Sequence, residues 1–144
     1  MGSIFNQDKD NRTPGEIIYK NDATKKSDHI KFKANIYGQV QGVGFRYTTV
    51  HLAKQIGVNG IVKNENDGSV YVEATGENEK IKHFIQELAK GPSPSAVVDK
   101  VEVTYDDSIP DYNGFGERHW KTSIIHVLFK LSEFFRMEWK MWTL

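Results

Sequence analysis

Cysteine is absent from the 144 residues of the sequence. A disulfide scaffold, a metal site built from thiolates and a cysteine nucleophile are therefore excluded. Proteins without cysteine suit a reducing compartment, and we expect this chain to be cytoplasmic.

An excess of charge of either sign is also absent, because 19 Lys and Arg residues balance 19 Asp and Glu residues. A protein that binds nucleic acid mainly by neutralising phosphates needs a basic surplus, so we expect no nucleic-acid partner. Long hydrophobic runs are missing too: no segment approaches the roughly 20 apolar residues of a membrane-spanning helix. The opening segment lacks the apolar stretch of a secretory signal, and we expect no such signal.

The composition divides the chain into three segments. Residues 1–28 are polar with few large apolar side chains, which predicts a disordered or flexible N-terminal arm. Residues 29–115 carry regular hydrophobic patterns and are numerous enough for one domain with its own core. Residues 116–144 form an atypical, aromatic-rich C-terminal tail that includes all three tryptophans. Its apolar residues from Ile124 to Phe135 fall at helical spacing, which leaves two interpretations open: an amphipathic helix, or a variant C-terminus with an accidental periodicity.

The hydrophobic patterns of the middle segment change between the period of a strand and that of a helix. They predict a strand from residue 30, a helix over 45–56, strands through 60–64 and 69–75, a helix through 81–88 and a strand over 98–105. This order predicts an α+β fold of the ferredoxin-like, split βαββαβ type, with an antiparallel sheet and both helices on one face.

The stretch "IYGQVQGVGFRYTT", residues 36–49, places three glycines between a strand and a helix, and an arginine at the helix start. The N-terminus of a helix carries partial positive charge, so Arg46 is mildly unfavourable there unless an anion is nearby. Glycines allow main-chain N–H groups to approach a ligand closely, and a guanidinium binds phosphate through two parallel hydrogen bonds. Two interpretations stay open at this point: a phosphate site, or a tight turn followed by a solvated arginine.

Asn64 is expected to return close to Arg46. A helix over 45–56 advances roughly 18 Å, and a strand over 59–64 returns by roughly 20 Å. The side-chain amide of Asn64 can hold a water molecule, although an asparagine before "ENDG" is also an ordinary turn former.

Two longer motifs carry a family resemblance. "IYGQVQGVGFR", residues 36–46, resembles the first acylphosphatase signature at every constrained position. "GIVKNENDGSVYVEATG", residues 60–76, resembles the second and departs from it at Ile61, where the family usually has an aromatic residue. The similarity extends over residues 30–115 and includes "GPSPSAVVDKVEV".

The resemblance implies a metal-independent hydrolase without a cofactor, which cleaves acyl phosphates to a carboxylate and inorganic phosphate. It implies that Arg46 binds the phosphoryl group and that Asn64 orients the attacking water. The remaining substrate-binding residues that it implies contribute main-chain N–H groups and are Gln41, Gly42, Val43, Gly44 and Phe45.

Other candidate sites are weaker. The five histidines lack the spacing of a metal motif, so no metal site is predicted. The acidic residues Asp106, Asp107 and Asp111 are interpreted as a turn-rich loop rather than a cation site.

The C-terminal tail departs from the family pattern. The family normally finishes with a fifth strand, in which Phe115, Glu117 and His119 would share one face, and the last two are poor core residues. The alternative to an active enzyme is therefore a phosphate-binding module without turnover, or a module that contacts a protein or a membrane through residues 120–144. Apart from such a contact, we expect a monomer.

Overall fold

The computed structural model describes residues 12–22 and 28–119. Within these ranges the chain forms one six-stranded sheet and two helices, which pack on the same face of that sheet. In chain order the elements are β1 (Glu16–Tyr19), β2 (His29–Gln39), α1 (Phe45–Ile56), β3 (Asn59–Asn64), β4 (Val70–Glu77), α2 (Asn78–Lys90), β5 (Val97–Tyr105) and β6 (Phe115–Arg118).

The strand order across the sheet is β1-β5-β2-β4-β3-β6. The four inner strands are antiparallel to one another and form the predicted split βαββαβ unit with α1 and α2. The ferredoxin-like α+β fold is therefore confirmed. The sheet as a whole is mixed rather than antiparallel, because β1 pairs in parallel with β5 and β6 pairs in parallel with β3.

The core lies between the sheet and the helices. Alternate residues of β2 and β4 point into it, as the sequence pattern predicts, and each is almost fully buried. The ring of Phe84 on α2 joins the layers, because its centroid lies 6.3 Å from that of Phe32 and 5.7 Å from that of Phe115. Burial of each such ring contributes about 1.5–3 kcal/mol to folding.

Residues 12–22 are attached to the sheet, and the expected disordered or flexible arm over residues 1–28 does not hold for them. Strand β1 pairs with β5 in register from Glu16 opposite Lys100 to Tyr19 opposite Val103. Beyond β1, the Asn21 side chain exchanges two hydrogen bonds with the main chain of Tyr105, at 2.8 and 3.0 Å. This short strand satisfies main-chain groups that β5 would otherwise expose, an advantage that composition does not reveal.

Further anchors lie before β1. Arg12 Nη1 donates to the carbonyl oxygen of Ala96 at 2.6 Å, and the main-chain N–H of Gly15 donates to the carbonyl oxygen of Ala89 at 2.8 Å. Residues 1–11 and 23–27, which belong to the same predicted arm, lie outside the described residues.

The fifth strand of the family pattern is present as β6, so the boundary predicted at residue 116 is corrected. Phe115 is buried, whereas Glu117 and His119 are exposed at the end of the strand near α1. The rest of the predicted tail, residues 120–144, lies outside the described residues, as does its proposed helix. Among the helices that the structure describes, none is long and apolar enough to span a membrane.

The connection between β5 and β6 crosses the face of the sheet opposite the helices. Lys31 Nζ on β2 donates to the carbonyl oxygen of Ile109 at 2.8 Å and lies 3.2 Å from Asp111 Oδ1, which holds the pKa of that carboxyl below its usual range. Tyr112 donates its hydroxyl to Glu73 Oε1 at 2.5 Å, and burial together with this bond raises the pKa of Tyr112 to about 12.

The acidic residue at the start of this connection, Asp106, stabilises a turn by accepting hydrogen bonds. The main-chain N–H and the hydroxyl of Ser108 donate to Asp106 Oδ1, and these bonds are the main cause that lowers the pKa of Asp106. Among the described residues, no group of three His, Asp or Glu side chains has the arrangement of a metal site.

The attachment of β1 can be tested with two neighbouring isoleucines. Ile17 packs against the core and Ile18, the next residue, faces the opposite side of the sheet. We expect Ile17→Thr to lower the free energy of unfolding by about 1–2 kcal/mol, because it places a hydroxyl against apolar side chains. Ile18→Thr is the matched control, with an expected change below about 0.5 kcal/mol. Urea denaturation measures both, and two negligible changes would mean that this segment is not part of the sheet.

Candidate active site

The loop between β2 and α1 has a backbone suited to an anion. Gly42 and Gly44 adopt φ values of 74° and 76°, and no non-glycine residue among those described has a positive φ. The sign of φ therefore alternates along Gln41, Gly42, Val43 and Gly44, which directs successive N–H groups toward one concave side. A Cβ atom on Gly42 or Gly44 would meet no atom of the described residues within 4 Å, so the backbone conformation, and not crowding, favours glycine at these two positions.

The side chains of the loop hold it in place. Val40 and Phe45 are buried, and Val43 packs partly against the core. Gln41 Nε2 donates to the carbonyl oxygens of Glu65 and Ser69 at 2.7 and 2.8 Å, so the loop is tied to the β3–β4 hairpin. These side chains are occupied with packing and anchoring, which leaves the main-chain N–H groups to face a ligand.

The hairpin that accepts from Gln41 is itself braced. The N–H and the hydroxyl of Ser69 donate to Asp67 Oδ1 at 2.9 and 2.5 Å, and these bonds lower the pKa of Asp67. The carboxylate of Asp67 is therefore the favoured form at neutral pH, and it fixes the turn that positions both carbonyl acceptors.

Arg46 is the second residue of α1, in a first turn that contains no acidic residue and follows a glycine cap. Its Nη1 atom donates to the carbonyl oxygen of Arg118 at 3.4 Å and lies 2.9 Å from Nδ1 of His119. Its Nε atom lies 3.9 Å from Glu117 Oε1. The first turn of α1 has no acidic side chain to accept from Arg46, so the residues at the end of β6 supply the acceptors. The Arg46 side chain is only 24% exposed.

Asn64 ends β3, and its Oδ1 atom is buried with no hydrogen-bond partner among the described residues. A buried acceptor without a partner costs about 1–3 kcal/mol, so such an atom is commonly satisfied by a bound water or ligand. Lys63 pairs with Arg118 in the parallel β3–β6 ladder. Asn64 and His119 therefore leave the ladder side by side, on the side where His119 contacts Arg46.

The predicted site residues lie at one end of the sheet. Strands β2, β3 and β6 run in the same direction, so the glycine loop, Asn64 and the segment around His119 all follow carboxyl ends at that edge. Glu117, Arg118 and His119 are the residues that the sequence interpretation did not assign to the site. The alternation after Phe115 was the available signal, because it places Glu117 and His119 on the side of the helices.

Comparison with known proteins shows the family of the chain. The family model described as acylphosphatase matches residues 32–116, more than half of the chain. The chain belongs to the acylphosphatase family. The predicted class of enzyme, a hydrolase of acyl phosphates, is thereby confirmed.

Individual acylphosphatases show how far the similarity extends. The acylphosphatase of Mannheimia succiniciproducens is 53% identical over 79 residues, which cover 55% of this chain and 80% of that protein. The acylphosphatase of Thermotoga petrophila is 44% identical over 89 residues, covering 61% of this chain and 96% of that protein. The crystal structure of acylphosphatase from Bacillus subtilis superimposes with a TM-score of 0.59 at 31% identity, covering 62% of this chain and 98% of that one.

Proposed function

We propose that the chain hydrolyses acyl phosphates at the loop before α1, with Arg46 binding the phosphoryl group and Asn64 orienting the attacking water. The observation that carries this assignment is the convergence of three features at one sheet edge. They are the guanidinium of Arg46, the buried Oδ1 of Asn64, which has no partner among the described residues, and a loop whose backbone alternates in sign of φ.

The phosphoryl group would be bound by complementary charge and geometry. Nη1 of Arg46 contacts the end of β6, whereas Nη2 has no partner among the described residues. Nε and Nη2 present two parallel N–H bonds, the edge that grips two oxygens of one phosphate. The N–H groups from Gln41 to Phe45 and the positive end of α1 add to the same attraction.

Asn64 would act on the water. Its Oδ1 would accept a hydrogen bond from the water molecule, which would hold the water oxygen in line with the phosphorus–oxygen bond to be broken. The carboxylate of an acyl phosphate is a good leaving group, so positioning of the water and stabilisation of charge on the phosphoryl oxygens supply most of the rate acceleration. The water oxygen bonds to phosphorus, the bond to the carboxylate breaks, and the water proton passes to a phosphoryl oxygen. We propose that these steps require no metal ion.

The wider setting of this activity is also part of the proposal. We propose that the substrate is a small acyl phosphate, that the protein works as a cytoplasmic monomer, and that nucleic acid is not a partner. The cysteine-free composition supports the compartment, and the zero net charge supports the absence of a nucleic-acid partner.

Replacement of the guanidinium tests the binding role. We expect Arg46→Ala to lower kcat/KM for benzoyl phosphate at least about 100-fold, because one preorganised charge donor is worth that much or more. Steady-state hydrolysis with chelator present measures the loss, and Lys54→Ala, in the last turn of the same helix, is the matched control. Equal rates for wild type and Arg46→Ala would reject the assignment, and inhibition by chelator would reject metal independence. Phosphate-dependent stabilisation of the wild type without any turnover would favour the alternative of a binding module.

The Asn64 role predicts a different kinetic pattern. Asn64→Ala should lower kcat about 100-fold with KM changed less than about threefold, because the water is positioned in the transition state and not in the phosphate complex. Asn59→Ala at the exposed start of the same strand is the control. A large rise in KM at unchanged kcat would instead mean that Asn64 binds the substrate.

Glu117 provides a test of the charge near the guanidinium. Its carboxylate, 3.9 Å from Nε of Arg46, repels a phosphate that approaches the same edge. We expect Glu117→Gln to lower the inhibition constant of inorganic phosphate about two- to fivefold, the range of a partly exposed ion pair. The effect should shrink as the salt concentration rises. Glu79→Gln on α2, far more exposed, is the control, and weaker inhibition in Glu117→Gln would contradict this account.

A further inference from the structure

We propose that His119 is a positioning residue for Arg46, whose guanidinium it orients through a hydrogen bond accepted at Nδ1. This inference rests on the proposed role of Arg46 in binding the phosphoryl group. It assigns a functional role to the residue that follows β6, a segment that looked poorly suited to the fold by sequence alone.

The contact geometry supports this role. Nη1 of Arg46 carries two N–H groups, and two acceptors face it: Nδ1 of His119 at 2.9 Å and the carbonyl oxygen of Arg118 at 3.4 Å. Both acceptors come from one short segment, held by the pairing of Arg118 with Lys63. Two acceptors on one nitrogen fix the plane of the guanidinium, and its other edge, Nε and Nη2, stays directed away from them.

Orientation of the guanidinium should improve substrate binding. A long arginine side chain loses rotational freedom when it grips a ligand, and a side chain that is already held loses less. The acceptors touch the arginine and not the proposed phosphate edge, so their effect should appear in KM more than in kcat.

Only the neutral imidazole can serve in this way. A neutral ring with an unprotonated Nδ1 accepts a hydrogen bond, whereas the protonated ring has two donors, no acceptor and a positive charge. On the helix side of the sheet, the charged groups beside this ring are Arg46 on α1, whose Nη1 lies 2.9 Å from Nδ1, and Glu117 on β6, whose carboxylate lies 3.9 Å from Nε of Arg46. The side chains of Arg118 and its partner Lys63 alternate onto the opposite face, where Lys63 lies over the ring of Tyr71. Protonation would therefore place a second positive charge beside the guanidinium of Arg46.

The test compares two substitutions at residue 119 in the full chain. His119→Asn places an amide oxygen where Nδ1 lies and cannot gain a proton, so it keeps an acceptor at every pH. His119→Leu removes the acceptor at similar size. His83→Leu on α2, an exposed histidine paired with Glu87, is the control for loss of an imidazole elsewhere.

At pH 8 we expect His119→Leu to raise KM for benzoyl phosphate about three- to tenfold with kcat changed less than about twofold, and His119→Asn to stay within about twofold of wild type.

Several outcomes would overturn the inference. These are equal KM values for His119→Leu and wild type at pH 8, or a His119→Asn variant as impaired as His119→Leu. A fall in KM in His119→Leu would show that the imidazole competes with the substrate. Far-UV circular dichroism and urea denaturation verify that each variant is folded. If Arg46→Ala retains turnover, the proposed function fails, whereas loss of turnover in Arg46→Ala with an unaffected His119→Leu rejects the role of His119 alone.

Discussion

The parallel pairing of β6 with β3 is the contact on which the geometry of the site depends. It runs from Gly60 opposite Phe115 to Lys63 opposite Arg118. The N–H of Gly60 donates a hydrogen bond to the carbonyl oxygen of Gly114 at 2.9 Å, which fixes this register. A Cβ on Gly60 would lie 1.9 Å from the carbonyl oxygen of Glu73, so only glycine permits the close approach of β3 and β4 at this point. The far end of the same ladder delivers the acceptors that meet the guanidinium of Arg46.

The two outer strands solve a problem common to open sheets. Each inner edge strand would present unpaired N–H and C=O groups, which invite association with other chains. Strand β1 covers β5 and strand β6 covers β3, and each has only four residues. β6 also helps to build the site, whereas the contacts of β1 are structural, with Tyr19 stacked on Tyr105 at 6.0 Å between centroids.

A chain of zero net charge can still bind a strongly anionic group, because binding depends on the local arrangement. Main-chain N–H groups, the positive end of α1 and one guanidinium are gathered at a single edge of the sheet, and Glu117 balances part of that charge at 3.9 Å from Nε. The connection between β5 and β6 spans the opposite face through Lys31 and Glu73. The edge that carries the proposed site is thereby separated from these polar contacts.

The sequence by itself determined the inner fold and the candidate residues Arg46 and Asn64, because these depend on local patterns: hydrophobic periodicity, glycine spacing and two long motifs. Only the tertiary structure decided the places of β1 and β6. Four-residue strands have too little periodicity to be recognised, and their stability comes from partners distant in the sequence, such as Lys100 for Glu16. For the same reason the sequence did not indicate the positions of Glu117 and His119, which are poor core residues for a strand. Only the folded chain brings them into contact with Arg46 at the start of α1.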